Sequence, residues 1–157
     1  MKYFALVLAL VFCSVPLCAQ DQPNELAAAG MAWNEAASPQ LNGWATYARL
    51  IGKGVYSLST YDISPVKIEG STIPSLQAQL RTGIAIYMRQ FGRLSIYGLG
   101  DAGIATTGDT TGGSFGGGGL GIVTLGKGWC VFVPIRLMRN NVTGTQVVYE
   151  LGVGWGK

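Results

Sequence analysis

Polar and apolar residues alternate along most of this chain with a period of two. In "SLQAQLRTGIAIYMRQ", Leu76, Ala78, Leu80, Thr82, Ile84, Ile86 and Met88 share one face. Gln77, Gln79, Arg81, Gly83, Ala85, Tyr87 and Arg89 share the other. "WCVFVPIRLMRN" repeats the pattern, with Trp129, Val131, Val133, Ile135 and Leu137 opposed to Cys130, Phe132, Pro134, Arg136 and Met138. In "LNGWATYARLIG", Trp44, Thr46, Ala48 and Leu50 oppose Ala45, Tyr47 and Arg49. Period two is the mark of β-strands. Strands are expected near 25–35, 42–51, 55–63, 76–90, 93–105, 115–125, 129–139 and 145–155. Most approach the ~9–11 residues that a tilted strand needs to cross a bilayer. The first and sixth have the weakest pattern: "ELAAAGMAW" has helix propensity, and "SFGGGGLGIV" has few side chains.

The connections alternate as well. "GKG", "QFGR" and a second "GKG" are tight, and each carries one cation: Lys53, Arg93 and Lys127. The others are longer and rich in Ser, Thr, Pro, Asp and Asn, and two long loops are expected at 62–75 and 106–117. An antiparallel up-and-down meander with short turns at one end and long loops at the other fits an eight-stranded transmembrane β-barrel. Three features place the apolar face outside. None of Lys53, Lys67, Lys127 and Lys157 falls clearly within a strand, whereas the wet face of a soluble strand would carry Lys and Glu. The polar face mixes Arg, Gln, Ser and Tyr with Gly and Ala, as a narrow interior requires. Aromatic residues gather near strand ends, and Trp44, Tyr56, Trp129 and Trp155 are expected to be interfacial.

Composition narrows the class. Charged residues make up 12% of the chain, against roughly 25% in soluble domains. Residues 1–19 read as a signal peptide, with Lys2 preceding an apolar run from Tyr3 to Phe12 and cleavage near Ala19. Residues 20–157 then form one barrel domain. Cys130 is the one cysteine left after cleavage, so no intrachain disulfide is expected. The near-balance of charge does not suggest nucleic-acid binding. The chain has no histidine, which removes a Ser-His-Asp triad and the usual metal clusters. Gly98 to Gly103 is formally G-x-G-x-x-G, but the glycine-rich stretch that follows cannot open a helix on a pyrophosphate. Gly121 to Lys127 approaches a phosphate loop, yet Gly128 replaces the magnesium-holding hydroxyl and "IVTL" is a β-run. No catalytic, metal or cofactor-binding residues are assigned, and no cofactor is expected.

Registers suggest how interior charges are neutralised. If Leu137 pairs with Tyr149, Arg136 lies opposite Glu150, Phe132 faces Gly154 and Val131 faces Trp155. The hairpin at "QFGR" brings Arg81 opposite or diagonal to Asp101. These two ion pairs read as structural, since an unpaired buried charge is costly. Arg49 and Arg89 are left to find acids such as Glu25 or Glu35.

On strand count, loop alternation and this last strand, the chain resembles the small eight-stranded outer-membrane barrels, the OmpA-transmembrane/OmpX-like and opacity-protein class, over residues 25–157. The resemblance implies a terminal-strand assembly signal in Tyr149, Leu151, Val153 and Trp155, although here Gly156 and Lys157 follow the aromatic. It also implies a non-enzymatic outer-membrane protein with a filled lumen. Its partners would be outer-membrane lipids, with transient contact to periplasmic chaperones and the barrel-assembly machinery. Roles in surface interaction, adhesion or envelope integrity would lie in its extracellular loops, whose partner is unspecified. Barrel enzymes that modify lipid A acyl chains use a histidine, which is lacking here. The alternatives are a soluble secreted barrel binding an apolar ligand, with the faces inverted, and a narrow channel.

Overall fold

The computed structural model describes residues 23–34, 40–66, 75–108, 110–141 and 144–157. The signal segment with its cleavage site, Glu35 and Lys67 lie outside them. Eight strands form: β1 (Glu25–Asn34), β2 (Gln40–Gly52), β3 (Val55–Val66), β4 (Ser75–Phe91), β5 (Leu94–Thr107), β6 (Thr110–Gly126), β7 (Trp129–Asn140) and β8 (Gly144–Gly156). Each pairs antiparallel with the next, and β8 closes back on β1. Closure leaves no strand edge, so every strand's backbone finds partners on both sides. "ELAAAGMAW" is a strand despite its helix propensity, because pairing with both β2 and β8 overrides the local preference.

Three two-residue turns, at 53–54, 92–93 and 127–128, lie at the end of the barrel where β1 starts and β8 finishes. This is the turn end; the opposite one is the loop end. Lys127 and Gly128 both have positive φ, 51° and 82°, the geometry of a type I′ hairpin turn whose twist suits the flanking strands. Next to each of these turns the ladder skips one residue: Ile51, Met88 and Leu125. All three are apolar and point outward, with Met88 69% exposed. Bulges at a barrel rim add local twist and re-aim the side chains beyond them.

The bulge at Met88 overturns one expectation. Strict alternation groups Arg89 with Arg81 on the inner face, but the extra residue turns Arg89 outward, where its guanidinium lies 4.8 Å from the Phe91 ring centroid. The expected loop at 106–117 is also corrected. Thr107 pairs with Thr110 and the ladder continues without a break through Ser114, so the glycine-rich stretch is strand. Strand β3 likewise runs on to Val66, which shortens the loop expected at 62–75 to 67–74.

Two packing regimes result. Outside, Met31, Trp33, Leu80, Ile84, Ile86, Ile135, Leu137, Leu151 and Val153 are all exposed. Every exposed charge among the described residues lies near a strand end or in a turn: Glu25, Arg49, Lys53, Arg89, Arg93, Lys127, Arg139 and Lys157. Inside, the lumen is stacked in layers. Buried Gln77, Gln79, Ser64 and Ser114 occupy the loop-end half. A charged layer follows, then Trp44, Phe132, Leu58, Leu99 and Leu120, then a tyrosine layer. In that last layer Tyr97 meets Tyr56 and Tyr87 edge-to-face, with ring centroids 5.8 and 5.7 Å apart.

Candidate functional site: the charged layer of the lumen

Five side chains from five strands meet in the charged layer: Asp62 of β3, Arg81 of β4, Asp101 of β5, Arg136 of β7 and Glu150 of β8. Each lies on the inward face of its strand by the two-residue period. The Arg81 guanidinium grips Asp62 bidentately, Nε donating to Oδ2 and Nη2 to Oδ1, both at 2.9 Å. Its Nη1 donates to Asp101 Oδ2 at 2.9 Å, and Nη2 lies 3.8 Å from Glu150 Oε1. Arg136 Nη1 donates to the same Asp101 oxygen at 2.7 Å, and its Nη2 donates to Glu150 Oε2. Asp101 therefore bridges the two arginines. Arg81 is 1% exposed and Arg136 3%. Charges so far from solvent persist only with partners and hydrogen bonds of this quality.

The glycines explain how side chains this long fit. Across the ladders Arg81 faces Gly103, Asp101 faces both Gly83 and Gly116, and Arg136 faces Gly118. A methyl group on Gly83 would meet the Asp101 Cβ at 2.6 Å, and one on Gly103 would meet the Arg81 Cα at 2.7 Å. The same device recurs in β8. A Cβ at Gly152 would strike the Trp44 ring at 2.5 Å, and one at Gly154 would strike Phe132 at 2.6 Å. Large side chains thus alternate with absent ones around a narrow lumen.

The structure brings Arg81 together with Asp101 across a diagonal, and Arg136 with Glu150. The register of the last hairpin differs from the expected one by two residues: Ile135, not Leu137, pairs with Tyr149, Phe132 pairs with Gly152 and Trp129 with Trp155. A two-residue slip keeps every side chain on its own face, and a long arginine spans the diagonal. Phe132 likewise still packs against Gly154. Asp62 joins the layer unforeseen. It looked like the first residue of a loop, although Tyr56, Leu58, Thr60, Asp62 and Ser64 continue one inward-facing alternation.

The expected aromatic girdle divides. Trp129 and Trp155 are outward, 53% and 46% exposed. Trp44 and Tyr56 are not interfacial: both are buried in the lumen. The Trp44 Nε1–H donates to the Met31 carbonyl at 3.2 Å, its ring seated over Gly152. The Tyr56 hydroxyl donates to the Pro23 carbonyl at 2.7 Å. Their strands' inward phase decides this, because proximity to a strand end says nothing about face. Arg49 lies opposite Glu25 in the ladder, on the outer surface.

Beyond the tyrosine layer a cavity of about 360 Å3 opens at the turn end, lined by Leu26, Gln90, Ser95, Tyr97, Ile122 and Cys130 among others. Among the described residues, no group of three or more Cys, Asp, Glu or His side chains is arranged to hold a metal ion.

No protein-family model matches the chain, and no curated protein matches it. Solved structures do. Neisserial surface protein A (NspA) superposes with a TM-score of 0.60 at 10% identity, over 83% of this chain and 92% of that one. Ail, the attachment invasion locus protein of Yersinia pestis, solved with the heparin analogue sucrose octasulfate, superposes with a TM-score of 0.62 at 12% identity, over 85% and 99%. OprH of P. aeruginosa superposes with a TM-score of 0.54 at 11% identity, over 83% and 99%. At these identities the likeness is one of fold: a closed, antiparallel eight-stranded barrel of the small outer-membrane type.

Proposed function

We propose that this chain is a non-enzymatic integral protein of the bacterial outer membrane, exported by residues 1–19 and inserted as a barrel with a filled lumen. The observation that carries this reading is the outer wall. The wall carries apolar side chains, giving way on β5 and β6 to the outward glycines Gly98, Gly100, Gly117 and Gly119, and has no charge between its two ends, while the charges in the middle of the strands are turned inward and paired. That is the arrangement of a barrel whose solvent is hydrocarbon. It opposes the soluble-barrel alternative, whose wet face would carry the charges. The layered lumen opposes the channel alternative, since Arg81, Arg136, Trp44 and Phe132 fill the path.

Tyr149, Leu151, Val153 and Trp155 would serve as the strand that the assembly machinery reads after delivery by periplasmic chaperones. Connections of only two to eight residues between strands favour a role in envelope integrity over adhesion through long loops. Trp129 and Trp155 would anchor the turn end at the membrane interface.

Fractionation tests the reading. The mature protein should stay with outer membranes until detergent is added, and should migrate differently on a gel before and after heating. Ile84→Arg, on the apolar wall, should reduce folded yield in line with a cost of ~2–4 kcal/mol. Gln79→Arg, inside and across the ladder from Asp62, should be milder. A soluble mature protein, or equal effects of the two substitutions, would refute the assignment.

A further inference from the structure

The charges at the two ends of the barrel are unequal, and this points to a partner. All three turns at the turn end carry a cation: Lys53, Arg93 and Lys127. Arg89, turned outward by the Met88 bulge, joins them at the same end beside Phe91. All four are exposed. No salt bridge joins any of them to an acid, since every salt bridge among the described residues lies within the lumen layer. Glu25 is the one acid at this end among the described residues, and it faces Arg49 across the ladder and bonds to Lys157 through its backbone. In the sequence, by contrast, Glu35, Glu69 and Asp109 fall in connections of the loop end against one cation there, Lys67, while Asp21 precedes β1 at the turn end.

The level of these cations in the membrane follows from their neighbours. Trp129 and Trp155 pair with each other and flank the Lys127–Gly128 turn, and Phe91 adjoins the Gly92–Arg93 turn. Exposed aromatics of this kind mark the boundary between hydrocarbon and headgroups. Arg93 and Lys127, one or two positions beyond these aromatics at ~3.3 Å per residue, sit among lipid phosphates, and Lys53 holds the matching position in its own turn. Arg89 lies two positions on the strand side of Phe91 and reaches the same level by laying its long side chain along that ring. The three turns come from alternate hairpins, so their cations are distributed around the circumference.

We propose that the turn end is a ring-shaped binding surface for the headgroups of anionic phospholipids in the periplasmic leaflet, with Lys53, Arg89, Arg93 and Lys127 as its contacts. This rests on the outer-membrane reading above. A ring encircling the barrel at headgroup depth fits lipids better than an acidic protein, which would need its cations on one side. Each cation near an anionic surface contributes a free energy of order RT or more, and the attraction is screened by salt.

The test uses the mature barrel refolded into vesicles of phosphatidylcholine containing a minority of phosphatidylglycerol. The barrel is then extracted with its bound lipid, which is quantified by native mass spectrometry. Phosphatidylglycerol should be enriched about five-fold over its bulk fraction, equivalent to about 1 kcal/mol, and raising the salt before extraction should lower the enrichment. The combined variant Lys53→Gln, Arg89→Gln, Arg93→Gln and Lys127→Asn should bring enrichment close to one, while Arg139→Gln at the loop end should leave it unchanged. Asn is used at 127 because it tolerates positive φ. Absence of enrichment in the unaltered protein, or enrichment that ignores both salt and the combined variant, overturns the proposal. Cross-linking in intact cells supplies a second arm: a combined variant that keeps its phosphatidylglycerol in vesicles but loses a cross-link to an acidic periplasmic protein also overturns the proposal. Failure of the unaltered chain to give a heat-modifiable barrel in vesicles would instead refute the membrane reading.

Discussion

Asp101 holds the centre of the lumen layer because one of its oxygens accepts from both arginines. Asp62 serves Arg81 alone, and its side chain is 14% exposed against 3% for Asp101. The two acids should therefore differ in weight. Asp101→Asn leaves two buried guanidiniums short of a partner and should lower stability by about 3–5 kcal/mol, as for other broken buried pairs. Asp62→Asn should cost less, because Arg81 retains Asp101 and lies near Glu150. Urea unfolding from lipid vesicles measures both, and equal losses would contradict the geometry. Asp101 was legible in the sequence as a counter-charge to Arg81; Asp62 was not, because a single acid before Ile-Ser-Pro reads as the start of a loop.

Among the elements, β4 illustrates how one residue resets a face. Its alternation runs unbroken in sequence from Leu76 to Arg89, yet the ladder skips Met88. Deleting Met88 should be tolerated within about 1 kcal/mol, since Arg89 would then follow Tyr87 directly and still face outward while Gln90 still faces in. Deleting Ala85 should abolish folding, because it sends Ile86 inward and Tyr87 toward lipid. Folded yield by gel shift distinguishes the two, and tolerance of both deletions would refute this account of the bulge. β8 teaches the complementary lesson. Its glycines look like missing side chains in the sequence, but each of Gly152 and Gly154 is the space into which a ring from another strand packs.

For the whole molecule, the stacked lumen makes a prediction about transport. With the charged layer, the Trp44 and Phe132 layer and the tyrosine layer in series, reconstituted protein should show little or no single-channel conductance in a planar bilayer. Sustained ionic currents would require the layers to open together and would favour the channel reading. The cavity at the turn end does not alter this expectation, because the tyrosine layer lies between it and the charged layer.

Alternation, eight segments and the spacing of turns determine the barrel from sequence alone, because a strand's two-residue period is local and survives in the order of residues. The pairing of Arg136 with Glu150 was legible for the same reason: both sit on the inward phase of adjacent strands, and even a two-residue error in register leaves them within reach. What only the tertiary structure decided is phase and offset. Whether Trp44 and Tyr56 face lipid or lumen depends on the phase of β2 and β3, which their own apolar-rich sequences leave undetermined. The outward turn of Arg89 depends on a bulge that forms because β4 must match β5 near a two-residue turn. Closure of β1 on β8 settles the rest, since it fixes which glycine meets which ring across a lumen too narrow for both to be large.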